Sequence, residues 1–172
     1  QNKLPYFGIC LGMQIDIIEF SRNVLGLKDA NSTEFNELTK YPVIGLVTEW
    51  KDSSGKTEHR SANSNLGGTM RLGGQECLIK KSSLSHKLYK KTKVTERHRH
   101  RYEVNPAFKE DLIRGGMDIV GTSLDGKLAE MVEIKKHPWF LGCQFHPEFT
   151  SNPRDGHPIF NDFIAKAIKI KR

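Results

Sequence analysis

The sequence predicts one mixed α/β domain, and three observations predict it. A chain of 172 residues is one domain's worth, and 37% hydrophobic content is enough for a core. Short apolar runs of strand length are interspersed with segments whose apolar residues recur at helical spacing. No internal repeat, low-complexity segment or linker interrupts them, so residues 1–172 read as one unit.

The elements follow in order. The run "LPYFGI" suits a buried strand. In "MQIDIIEFSRNVLG", Met13, Ile17, Phe20 and Val24 step by helical intervals, and Gly26 supplies the stop. Residues 27–42 are polar and loop-like, and "VIGLVT" reads as a strand. The stretch "KDSSGKTEHRSANSN" lacks apolar periodicity and reads as a mobile loop. In "VTERHRHRYEV", an extended chain puts His98, His100 and Tyr102 on one face and Arg97, Arg99 and Arg101 on the other. Asn105 and Pro106 are suited to cap and open a helix over "AFKEDLIR", ended by Gly115 and Gly116. "MDIVGTS" and "LAEMVEI" flank a hairpin turn at Asp125 and Gly126. "WFLGCQF" is a buried strand running into "HPEF". The last segment, "HPIFNDFIAKAIKIKR", sets Ile159, Phe160, Phe163, Ile164, Ala167 and Ile168 along one helical face.

Composition excludes several classes. There is neither an apolar run of about 18 residues nor a charged-then-apolar leader, so no transmembrane helix, signal peptide or membrane partner is expected. Three cysteines at unmatched spacings argue against a disulfide framework and fit a reducing, cytoplasmic setting. The net charge of +7 is scattered rather than gathered into a stripe with aromatics, so nucleic acid is not the expected partner. The chain opens "QNKLPYF" without a Met and reads as a fragment.

One cysteine stands apart. Strand, Gly8-x-Cys10-x-Gly12, helix is the arrangement of a nucleophile elbow: a sharp turn presents the side chain above the sheet edge, and small glycines let backbone come close. The helix N-terminus aims amides and a positive dipole end at the sulfur, favouring thiolate, and the Leu11 N–H is placed to donate to an oxyanion. A buried, inert cysteine in a strand-to-helix turn fits the same pattern. A base is available in "CQFHPEF", where His146 follows a strand and Glu148 lies two residues on, on the same side of an extended chain. A carboxylate there can hold the imidazole tautomer and stabilise the imidazolium, the third role in a Cys-His-acid triad. Alone, His146 also reads as a loop histidine and Glu148 as a solvated charge.

Taken together, "PYFGICLGMQ", "NSTEF", "GGTMRLG", "ERHRHRYEVN" and "QFHPEFTSNPRDGHP" resemble the glutamine amidotransferase domain of the CTP synthase family over nearly the whole chain. The resemblance implies a flavodoxin-like glutaminase domain with a mostly parallel central sheet plus antiparallel strands. It implies hydrolysis of L-glutamine by a triad of Cys10, His146 and Glu148. Leu11, Gly12, Met13 and Gln14 would line the glutamine site, with Glu34 at the substrate's amino end and Arg101 at its carboxylate. An acid and an arginine are what a zwitterionic substrate requires. No metal or cofactor is implied in this domain. ATP and Mg would serve an amidoligase domain of the same protein that aminates UTP, GTP would activate, and the intact enzyme would be a homotetramer. A lid containing Arg60, hinged at Gly67, Gly68, Gly73 and Gly74, would respond to GTP. The family's upstream strands, its glycine-rich loop with a second oxyanion donor and the amidoligase domain are not in the sequence, so the N-terminal part is expected to be missing.

Other functions compete with this one. A peptide- or ester-cleaving cysteine hydrolase would use the same elbow and histidine, but Glu34 and Arg101 favour a free amino acid. A glutaminase for another acceptor would differ in the domain upstream, and a basic binding module would bind nucleic acid with strong salt dependence. A metal site from His98, His100 and Cys77 lacks convincing further ligands.

Overall fold

The computed structural model describes residues 3–46, 49–51, 57–59 and 70–170. The apolar opening run forms β1 (Tyr6–Ile9), and α1 (Leu11–Asn23) follows through the single residue Cys10. Met13, Ile17 and Phe20 are buried as their spacing requires, whereas Val24 is exposed because the helix has ended. The stop involves Gly26 at φ +73°, with Leu27 N–H donating back to Ser21 O at 3.0 Å.

The next segment holds a short strand that its polar composition conceals, β2 (Ala30–Ser32), followed by β3 (Tyr41–Leu46). β4 (Glu49–Lys51) and β5 (Thr57–His59) pair in an antiparallel ribbon, so the described part of the expected loop is strand. β6 (Arg71–Ile79), α2 (Leu84–Tyr89) and β7 (Lys93–His100) come next. In β7, Glu96, His98 and His100 are buried and Arg97 and Arg99 exposed, the alternation expected. The chain then bends at Arg101 and enters β8 (Tyr102–Val104) in a different sheet, so the alternation does not carry through to Tyr102.

Asn105 caps a 3-10 turn at Pro106–Phe108, its Oδ1 accepting from Ala107 N–H at 3.0 Å, before α3 (Lys109–Gly115) begins. Gly116, at φ +103°, ends that helix. The hairpin of β9 (Asp118–Thr122) and β10 (Ala129–Glu133) forms as expected, with bulges in its register. β11 (Phe140–Cys143) and α4 (Pro158–Ile170) complete the described elements. Ile159 is fully buried, but Ile164 and Ile168, on the same apolar stripe, are exposed.

The strands form a six-stranded sheet, β1-β11-β10-β9-β6-β7, a three-stranded sheet, β2-β3-β8, and the β4–β5 ribbon. The α/β class is as expected, but the strand balance is the reverse of a mostly parallel sheet. Among described residues only β1–β11 and β2–β3 run parallel. The physical reason lies in the connections: a hairpin joins β9 to β10 and a short excursion through α2 joins β6 to β7. Parallel neighbours need a long crossover instead. No helix among the described residues is long and apolar enough to cross a membrane.

One core cluster packs Met13, Ile17 and Ile18 of α1 with Val43, Ile44, Val104 and Leu112. A second joins Cys77, Val120, Met131, Trp139, Leu141 and Ile159. Two glycines seat α1 tightly. A Cβ on Gly8 would lie 2.5 Å from Asp16 Oδ2 and 2.8 Å from the Gly12 carbonyl carbon, and one on Gly142 would lie 3.0 Å from Met13 Cγ. At Gly12 a Cβ would meet nothing within 4 Å among the described residues, so none of them makes a close approach that requires this glycine.

Candidate active site

Cys10 occupies the strand-to-helix turn with φ 51° and ψ −104°, a conformation that a residue bearing a Cβ rarely adopts. Such a backbone costs on the order of 1–3 kcal/mol and persists only when its surroundings impose it. Here Cys10 N–H donates to Cys143 O at 2.7 Å, and Gln14 N–H donates to Cys10 O at 3.2 Å. The turn is therefore pinned on one side to β11 and on the other to the first turn of α1.

The thiol does not behave as helix placement alone suggests. Burial pushes its pKa above the ordinary value. Hydrogen bonds from Leu11 N–H and the Gln144 amide pull it down, and the Glu103 and Glu148 carboxylates push it up again. Burial wins, so the resting sulfur is a thiol and needs a base.

The sheet supplies that base. β1 and β11 are adjacent and parallel, with Ile9 opposite Cys143, so Cys10 and His146 both leave the sheet at its carboxyl edge. His146 N–H donates to Arg97 O at 2.8 Å, which fastens its backbone to β7. Its Nδ1 lies 2.6 Å from Glu148 Oε1, and a carboxylate can only accept, so Nδ1 carries the proton. Nε2 is left as the basic lone pair, buried and without a hydrogen-bond partner among the described residues. Glu148 stands in a 3-10 turn at Pro147–Phe149, and Phe149 lies against the imidazole at a ring distance of 5.2 Å.

The four residues expected beside the substrate divide by environment. Leu11 is exposed and Gly12 half-buried, but Met13 is fully buried in the core, leaving only its backbone for any ligand. Gln14 is 3% exposed, and its Nε2 donates to Tyr102 O at 2.9 Å and to Gln144 Oε1 at 3.3 Å. Glu34 and Arg101 are both exposed. Glu34 follows the carboxyl end of β2, and its N–H donates to Ser32 Oγ at 3.1 Å. Arg101 precedes Tyr102, which pairs with Leu46 at the carboxyl end of β3. With β2 and β3 parallel, Glu34 and Arg101 thus flank the same end of the three-stranded sheet. The Gln14 bond to Tyr102 O joins that end to the first turn of α1, beside Cys10.

Arg60, Gly67 and Gly68 lie outside the described residues. Gly73 and Gly74, expected as hinges, are paired inside β6, opposite His98 and Arg97. A cleft of about 480 Å³, lined by Met70, Leu72, Arg97, His98, Arg99 and Phe149, adjoins the His146 turn.

Several site residues escape a sequence reading. Arg71, on β6, lies 2.6 Å from Glu130 Oε1 and 3.1 Å from Glu103 Oε1, both carboxylates fully buried. Burial outweighs its attraction at both: burial and the neighbouring Glu130 push Glu103 up to about 8, and burial also raises Glu130. His100 Nδ1 must donate to Tyr102 O at 3.2 Å, so its Nε2 accepts from His98 Nδ1 at 2.8 Å. Both rings stay neutral because burial and Arg71 hold their pKa values far below the usual range. Gln144, with no exposure, donates from Nε2 to Cys10 Sγ at 3.7 Å. Gln144 lies two residues before His146, a spacing that could have marked it in the sequence. Nothing local marks Arg71, Glu103 and Glu130 as partners.

The model of the class-I glutamine amidotransferases matches residues 1–166. Among solved structures, the glutaminase domain of Trypanosoma brucei CTPS with bound acivicin is 41% identical, with a TM-score of 0.83, covering 98% of this chain and 61% of that one. A Thermoplasma acidophilum protein provisionally described as part of a GMP synthase is 15% identical, with a TM-score of 0.54, covering 97% of this chain and 59% of that one. That second likeness concerns the fold alone. The chain spans about three fifths of the length of both structures. A cysteine elbow and a histidine–glutamate pair beyond the carboxyl ends of neighbouring parallel strands, in a chain matched from residue 1 to residue 166, make this chain a member of the class-I glutamine amidotransferase family.

Proposed function

We propose that the chain hydrolyses L-glutamine through Cys10, His146 and Glu148 and supplies ammonia for ATP-dependent amination of UTP to CTP. The observation that carries this reading is the His146–Glu148 pair at 2.6 Å, which leaves Nε2 as a buried base, unpartnered among the described residues, at the same sheet edge as Cys10. As the sulfur attacks the side-chain amide carbon, its proton passes to His146 Nε2 and the carbonyl electron pair moves onto oxygen. Leu11 N–H is one donor for that charge. Collapse returns the proton to the departing nitrogen, releasing ammonia and leaving a thioester. Water, deprotonated by the same imidazole, then frees glutamate. Glu148 keeps the ring oriented and balances the imidazolium. Glu34 takes the substrate's ammonium and Arg101 its carboxylate, while the first turn of α1, residues 11–14, forms the wall.

The 41% identity to a CTPS glutaminase domain supports CTP formation as the destination of the ammonia. In that reading ATP and Mg serve an amidoligase domain outside residues 1–172, and no residue of this chain is assigned to them. GTP activation, with Arg60 in the responding lid, a homotetramer and a cytoplasmic setting belong to the same proposal.

The test uses the protein carrying both halves. Cys10→Ala should abolish glutamine-dependent CTP formation and leave the ammonia-dependent reaction largely intact, because only the nitrogen source requires the sulfur. Undiminished synthesis from glutamine would remove Cys10 as nucleophile. Glutamate release without any amination of UTP would keep the hydrolysis and reassign the acceptor.

A further inference from the structure

We propose that Gln144 is a further catalytic residue, a fixed side-chain donor to the Cys10 sulfur that stabilises the thiolate as its proton leaves. The amide's orientation follows from its partners. Tyr102 O is a carbonyl and can only accept, so the Gln14 group that faces it at 2.9 Å must be the NH2. The second hydrogen of that NH2 points at the Gln144 side-chain oxygen at 3.3 Å, which makes the Gln144 group beside Cys10 its own NH2. The distance from that nitrogen to Sγ is 3.7 Å, a hydrogen bond for sulfur. Gln144 has no exposure and Gln14 3%, so water does not compete for these groups.

The donor answers a specific electrostatic problem. Cys10 is half-buried, and that burial, with Glu148 and Glu103 nearby, opposes negative charge on its sulfur. Backbone N–H of Leu11 offsets part of this, and the Gln144 amide adds a second donor from the opposite element. During attack the S–H proton goes to His146 Nε2 and the S–C bond forms, while Gln144 keeps its own protons and changes only the energy of the charged sulfur. A glutamate at this position would present an acceptor in place of the donor. The same chain of amides ends on the carbonyl next to Arg101, so the sulfur's partner is held by the segment that carries the proposed carboxylate clamp.

The catalytic consequence rests on the glutaminase reading, but the effect on thiol acidity does not, and the experiment separates them. The probe is iodoacetamide on the full protein, with modification of the Cys10 peptide followed by mass spectrometry across pH. In Gln144→Leu the midpoint of alkylation should rise by about one pH unit, a roughly tenfold loss of thiolate, the size expected for one hydrogen bond to a charged group. With glutamine, kcat should fall by a similar factor with little change in KM, because Gln144 touches the sulfur and not the substrate's ends. Gln14→Leu, which releases the amide without removing it, should shift the midpoint in the same direction by less, and it serves if Gln144→Leu does not fold. An unmoved midpoint in a folded variant of either residue overturns the proposal, even if glutamine hydrolysis is confirmed. A raised midpoint in a protein that never hydrolyses glutamine supports the donor and defeats the glutaminase reading.

Discussion

At the scale of single residues, Cys10 shows how two local effects are ranked by magnitude. A helix N-terminus favours an adjacent anion by about 0.3–1 kcal/mol, up to about 2 kcal/mol when partly buried. Burial of an ionisable group can shift its pKa by several units, about 1.4 kcal/mol each. The second is larger here, which makes His146 a necessary partner. Arg101 is the complementary case, an exposed guanidinium whose value depends on what docks beside it. If it holds the substrate carboxylate in a desolvated pocket, Arg101→Ala should lower kcat/KM for glutamine by the equivalent of about 2 to 5 kcal/mol. Steady-state kinetics check this, and an unchanged specificity constant would take Arg101 out of the site.

At the scale of elements, position in the sheet is enforced by contacts far along the chain. Helix α2 is too short to persist on its own propensity. Its N-terminus is held by Glu133 of β10, whose carboxylate accepts from Leu84 N–H at 2.9 Å and from Ser85 N–H at 2.7 Å and Ser85 Oγ at 2.6 Å. Ser83 caps the same end by accepting from His86 N–H at 2.9 Å. Glu133 is 5% exposed, so its loss strands buried donors. Glu133→Ala should therefore destabilise the protein by about 2–4 kcal/mol, read from urea unfolding. A change below about 0.5 kcal/mol would mean that α2 docks without this anchor. Strand β7 makes a second such link, since Glu96 binds Tyr89 Oη, His157 Nε2 and Thr150 Oγ1 within 2.7–2.9 Å. The adjacent carbonyl of Arg97 holds His146.

At the scale of the whole molecule, the Arg71 cluster is the junction between the sheets. Arg71, Glu130, His98 and His100 come from the six-stranded sheet, and Glu103 comes from the three-stranded one. Burial, with Glu130 beside it, outweighs the attraction of the one guanidinium and pushes Glu103 up to about 8. His98 is faced by Arg71, His100, His146 and Glu130, and its pKa is pushed down to about 2, chiefly by burial. The unfolded chain therefore takes up a proton on His98 below pH about 6.5 that the folded chain refuses. Its contribution is present above that pH and is lost as pH falls toward the folded value. Between pH 7 and pH 5 this one group should remove about 2 kcal/mol. His98→Gln should lower stability at both pH values yet lose less than the parent on acidification, as measured by urea unfolding at each pH. Equal losses would show that His98 is protonated in the folded state.

What the sequence determined by itself was everything carried by short-range periodicity and turn chemistry. That includes the α/β class, the elbow at Cys10, the histidine–carboxylate pair at His146 and Glu148, the buried and exposed faces of β7 and the hairpin at Asp125 and Gly126. These depend on spacings of two to four residues along one chain segment, and backbone geometry alone decides them. Only the tertiary structure decided the thiol's protonation, the strand directions, the donor role of Gln144 and the partnership of Arg71 with Glu103 and Glu130. Gln144 meets Gln14 across 130 positions and Arg71 meets Glu130 across 59, so no local window contains either pair. Burial, which sets the sign of the Cys10, His98 and Glu103 shifts, exists only once sheets and helices have closed over those groups.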